Sequence, residues 1–186
     1  MSEPGTLLSR AAFVARFGGV YEHSPWVAER AYDAGPLPSF LSAPGRGPDG
    51  ELRGVNEAHA LGEVLAGFVA AASNEEKLAL MRAHPDLVGR AALAGDLTAE
   101  STDEQASAGL DHCSRDELAR FKAANTAYHE RFGFPFVLAV RGRNRAAILE
   151  VFEQRLQNDS ETEFRAALAE IDRIALLRLE ALATAS

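Results

Sequence analysis

One stretch of this chain resists the pattern of the rest. Phe134-Pro135-Phe136-Val137-Leu138-Ala139-Val140 is a continuous apolar run flanked by Gly133 and Gly142. Such a run fits a buried strand and a buried helical turn equally well. Pro135 lacks the N–H that a central strand must donate, and no second segment offers a strand to pair with it. Backbone polar groups taken out of water still need partners. The run is therefore expected as a buried extended or irregular segment near residues 134–140 in an otherwise helical protein. The fold class that follows is all-α, a single-domain helical bundle over residues 1–186.

The remaining segments carry helical spacing. Ala12, Phe13 and Phe17 share a face, and Gly18-Gly19 closes that helix. Ser24-Pro25 reads as N-cap and first residue of a helix over Trp26 to Ala34. Leu61, Val64, Leu65, Phe68 and Val69 stripe a third. Asn74 is read as the cap of a fourth, which stops near His84 because Pro85 follows. Three Ser-x-x-Glu capping boxes are read at Ser101–Glu104, Ser114–Glu117 and Ser160–Glu163. Asn144 is expected to cap a helix bearing Ile148, Val151, Phe152 and Leu156. Between residues 35 and 54, Pro36, Pro38, Pro44 and Pro48 alternate with glycines, which predicts a surface loop.

Composition excludes several classes. The chain has 186 residues, 47% of them hydrophobic, enough for a core. A formal net charge of −8 argues against nucleic-acid or anionic-membrane partners. A single cysteine, Cys113, excludes an intrachain disulfide and a cysteine zinc site. No apolar run approaches the roughly 20 residues of a membrane span. The N-terminus lacks a signal-peptide pattern and Ala183-Thr184-Ala185-Ser186 is not a peroxisomal address, so a cytoplasmic protein is expected.

The five histidines, His23, His59, His84, His112 and His129, include no helical metal pair. Phosphate loops, nucleophile elbows and dinucleotide fingerprints are absent from the sequence. Neither a metal nor an organic cofactor is expected. His84, in Ala83-His84-Pro85-Asp86-Leu87, is placed at a helix C-terminus, where the dipole favours imidazolium and suits proton donation near neutral pH. Helix termination alone would also account for it. Glu104 has a similar second explanation, since a box glutamate only satisfies a backbone N–H. Arg131 and Arg141 flank the apolar run, where either solvation or carboxylate binding explains an arginine.

Four segments in order resemble one family. They are Phe17 to Ala28, Ala83 to Leu87, Ser101 to Leu110, and Asn125 through Tyr128 to Val137. The family is 2-oxo-4-hydroxy-4-carboxy-5-ureidoimidazoline (OHCU) decarboxylase, and the resemblance runs from about residue 8 to 182. It implies an all-α homodimer that converts OHCU to (S)-allantoin and CO2 without a cofactor, the last step from urate. It places the catalytic histidine at His84 and the glutamate at Glu104. Substrate contacts would fall on Pro85, Ser101, Thr102, Asp103 and Gln105, and on the run Phe136, Val137, Leu138, Ala139 and Val140. A polar heterocycle could then pair with backbone groups of that run. The alternative is a helical ligand-binding module of the same fold without turnover.

Overall fold

In the computed structural model, residues 8–35, 37–42, 51–88 and 98–184 are described. Eight α-helices appear among them, and no strand. They are α1 Arg10–Phe17, α2 Trp26–Ala34, α3 Val55–Ala71, α4 Asn74–Arg82, α5 Ala99–Ser107, α6 Arg115–Phe132, α7 Arg145–Arg155 and α8 Ser160–Thr184. Short 3-10 turns cover Ser39–Ser42 and Leu110–His112. Of the loop expected over 35–54, residues 36 and 43–50 lie outside the described residues.

Two compact units share the chain: Met1–Leu80 with Asp172–Ser186, and Met81–Ile171. In the first, Phe13 and Phe17 of α1 meet at 4.9 Å between ring centroids, and Tyr32 of α2 reaches Phe13 at 5.6 Å. Leu61, Leu65 and Val69 turn the inner face of α3 into the same unit's core. Two polar pairs are enclosed there, the first fully and the second in part. Arg178 Nη1 lies 2.9 Å from Glu22, with both side chains under a tenth exposed. Tyr21 donates its hydroxyl to Asp172 at 2.8 Å, and burial holds the Asp172 carboxyl above its usual range.

The second unit contains the apolar run. Residues 135–140 have no regular secondary structure, and Phe134 through Val140 are all buried. Gly133 ends α6 at φ +77°, a left-handed turn open to glycine, and delivers the chain into the core. Phe136 stacks on Phe152 of α7 at 3.8 Å, and Tyr128 of α6 meets both rings edge-on.

The helix starts correct the sequence reading in four places. Ser114–Glu117 is a complete capping box, and Asn144 caps α7 by accepting from Ala147. Asn74 is not the cap of α4: Ser73 is, through a box with Glu76 that the reading missed. Ser101 does not start α5, because Thr98 caps it by accepting from Ser101 N–H. Ser160 does not close a box with Glu163, because Asp159 accepts from Thr162 N–H at 2.8 Å. A Ser-x-x-Glu spacing also occurs one turn inside a helix, and there the upstream oxygen side chain takes the orphan N–H groups. Pro25, not Ser24, occupies the cap position of α2, already with helical dihedrals.

Candidate active site

The segments that carry the candidate residues meet within the second unit. α4 ends at Arg82 as Pro85 requires, and His84 follows in a turn closed by its own N–H on the Met81 carbonyl at 3.1 Å. His84 is 8% exposed, and Pro85 is half-buried. Arg82 Nε donates to the Gly133 carbonyl at 3.0 Å, which ties the approach to His84 to the start of the apolar run. Beyond His84, Val88 N–H donates to Gln105 Oε1 of α5 at 3.1 Å, in a buried contact. The same loop meets α6 twice: Asn125 Nδ2 donates to the Leu87 carbonyl at 2.9 Å, and His129 pairs with Asp86 at 2.7 Å.

On α5 the helical period sorts the candidates. Ser101 and Gln105 are buried and Glu104 is half-buried, at the i, i+3, i+4 spacing of one face. Thr102 and Asp103 are exposed, and the Thr102 hydroxyl donates to its own helix at Thr98 O. Because Thr98 caps the helix, Glu104 is not needed at its start. The capping explanation for Glu104 is removed.

The apolar run is held by charged side chains from its own unit. Arg155 Nη1 donates to Val137 O at 2.7 Å, with its guanidinium 4.6 Å above the Phe136 ring. Ala139 N–H donates to Glu170 at 2.8 Å, and Arg143 Nε donates to Ala139 O at 3.2 Å. Val137 O and both backbone polar atoms of Ala139 thus have partners within the protein. Arg155 itself is anchored by Glu163, which is fully buried and accepts from Arg155 Nε at 2.8 Å, from Asn158 at 2.7 Å and from the Tyr128 hydroxyl. Burial, then the bond to Glu163, pushes the Tyr128 phenol far up, so it stays a donor.

Arg131 is exposed and already donates to Asn158 O at 2.9 Å. Arg141 is exposed as well. Among the described residues, no group of three or more His, Cys, Asp or Glu is placed to hold a metal, and no helix is long and apolar enough to cross a membrane.

The profile of the OHCU decarboxylase family matches residues 6–180. The chain belongs to the OHCU decarboxylase family. It is similar to the 2-oxo-4-hydroxy-4-carboxy-5-ureidoimidazoline decarboxylase of Haloferax volcanii, 44% identical over 90% of this chain and 87% of that protein. Among solved structures it is similar to an (S)-allantoin synthase, with TM-score 0.67 and 29% identity over 94% of this chain. The chain spans half the length of that synthase. An OHCU decarboxylase crystallised in the presence of (S)-allantoin shares the fold, with TM-score 0.62 and 21% identity over 86% of this chain and 91% of the other. The helices of the described residues agree with the all-α class expected from the sequence.

Sequence reasoning missed Asn125 as a polar anchor and Glu163 as a buried one. One signal could have found the second. Glu163, Ala167, Ile171, Ile174 and Arg178 are spaced by four, four, three and four along α8, and all are buried. Two charges on an inward stripe mark ion pairs in advance.

Proposed function

We propose that this chain decarboxylates OHCU to (S)-allantoin and CO2, with His84 as proton donor and Glu104 orienting the substrate. The observation that carries the site is the Val88–Gln105 bond, which ties the loop bearing His84 to the helix face bearing Ser101, Glu104 and Gln105. The substrate has its own electron sink, because its carboxylate lies beta to a ring C=N. As the C–CO2 bond breaks, its electron pair forms a ring C=C bond and the imine nitrogen is protonated. The product is an enol bearing the original hydroxyl. Protonation of the neighbouring carbon from one face, with loss of the hydroxyl proton, gives the ring lactam carbonyl and sets the configuration. His84, in the turn that follows α4, would deliver that proton. Glu104, with Ser101 and Gln105, would hold the hydroxyl and ureido groups in register. Pro85 and the run Phe136–Val140 would line the ring. Thr102 and Asp103, on the exposed face, have no part in this reading.

The reading makes the enzyme a homodimer, as the family resemblance implies, in the cytoplasm, as the sequence analysis expects, and light scattering tests the oligomeric state. The activity test generates OHCU from urate in situ and follows its decay by absorbance and circular dichroism. Faster decay with an optically active product supports the reading. An unchanged decay to racemate leaves the ligand-binding alternative.

A further inference from the structure

The Leu87 carbonyl and the Val88 N–H belong to one planar peptide group, and in a trans peptide they point in opposite directions. Asn125 of α6 takes the carbonyl at 2.9 Å and Gln105 of α5 takes the N–H at 3.1 Å. A single peptide plane, three residues beyond His84, is thus gripped from both sides by two different helices. The plane is held where it would not rest by itself. Val88 has φ +52°, and a β-branched residue is strained in the left-handed region.

Asn125 is an odd choice for stability. It is 7% exposed, and its Oδ1 is buried with no hydrogen-bond partner among the described residues. A buried acceptor left unpaired is destabilising, and an apolar side chain of the same branched shape avoids that penalty. What Asn125 supplies instead is the bond to Leu87. The Asp86–His129 pair beside it, with side chains 31% and 43% exposed, holds the loop only weakly.

From this we infer that Asn125 is a positioning residue. By fixing the Leu87–Val88 peptide against Gln105, it sets where His84 stands relative to the face of α5 that carries Glu104. The inference rests on the proposed roles of His84 and Glu104. Asn125 does not touch substrate in it. A displaced proton donor should slow the chemical step and let solvent protonate the enol from either face, while substrate affinity changes little. Misplacement of a reacting group by about 1 Å can lower the rate by about a hundredfold.

The test compares the parent with Asn125→Leu, which keeps the branched shape, and Asn125→Ser, which is small and polar. Thermal melts, steady-state kinetics on OHCU and the enantiomeric composition of allantoin are measured for each. The inference expects melting midpoints close to the parent, kcat down by about tenfold to a hundredfold, KM within about threefold, and a partly racemic product. A parent that does not turn over OHCU overturns the proposed reaction and not this inference, which has a second readout. In histidine-15N-labelled protein without substrate, the His84 ring signals, assigned by their loss in His84→Gln, should shift or broaden in both Asn125 variants. Unmoved His84 signals overturn the inference. So does parent-like kcat and stereochemistry in either variant, or failure of both variants to fold, since Asn125 would then be a structural residue.

Discussion

Replacing Glu163 with Gln removes one charge from the most enclosed polar cluster of the second unit. Glu163 is fully buried and faces the guanidinium of Arg155, whose side chain is 11% exposed. It accepts from Arg155, Asn158 and Tyr128 at once. Glutamine has nearly the same shape but one oxygen fewer, and its NH2 must turn toward a donor. Arg155 then stays in the core as a cation with no counter-charge. Removing one partner of a buried pair costs about 3–5 kcal/mol. The lower end applies here, about 3 kcal/mol, since the remaining oxygen still accepts and Arg155 has some access to water. At about 2–4 °C per kcal/mol for a chain of this length, the melting midpoint should fall by roughly 6–12 °C. The assay is urea denaturation and thermal melting of the parent, Glu163→Gln, Arg155→Met and the double variant. The two single losses should not add: the double variant should recover at least about 1 kcal/mol of their sum. A drop under about 2 °C in Glu163→Gln, or full additivity, would refute the claim that this pair supports the apolar run.

Three further outcomes follow from the same geometry. His84→Gln should remove nearly all decarboxylation while unfolding free energy stays within about 1 kcal/mol of the parent; near-parental production of (S)-allantoin would exclude His84 as proton donor. Glu104→Gln should lower kcat/KM about tenfold to a hundredfold through loss of a charge-assisted contact, without changing the melt. Its counterpart Thr98→Ala should cost about 1 kcal/mol of stability at the start of α5, and equal rates and melts in the two variants would contradict both roles. The third outcome concerns acid. The Ser114 backbone bond and then Arg145 hold Glu117 at about 2, and Arg30 and then Ser73 do the same for Glu76, against an ordinary value of 4.5. Both ionise more readily folded than unfolded, so their stabilisation is complete above about pH 4.5 and is lost as pH falls toward 2. Glu117→Gln should flatten the acid limb of a stability–pH curve in that window, and an unaltered limb would count against the pairing.

The all-helical architecture was legible because periodicity and strong stops survive in sequence. Pro85 ends α4, Asn144 opens α7, and the apolar run announces its irregularity through Pro135 and its lack of a partner. Cap assignment failed where one spacing has two meanings. Ser101–Glu104 lies a turn inside α5, and only the fold shows Thr98 in front of it. The candidate site was legible as residue types in order. Its division into an inner face with Ser101, Glu104 and Gln105 and an outer one with Thr102 and Asp103 follows from the helical period once the helix start is known. The grip on the Leu87–Val88 peptide was not legible at all, since it uses backbone atoms, and every residue has those.

The apolar run also bears on intermolecular strand pairing. Phe136 to Val140 is uncharged and apolar, with one aromatic and two β-branched residues, a composition that stacks into intermolecular sheets when its backbone edge is exposed. Here that edge is occupied by Arg155 on Val137 and by Glu170 and Arg143 on Ala139. A neighbouring strand could bind only by displacing charged groups, and Pro135 and Arg141 guard the two ends as gatekeepers. The side chains that shape the interior of the second unit therefore also keep its stickiest segment from templating aggregates.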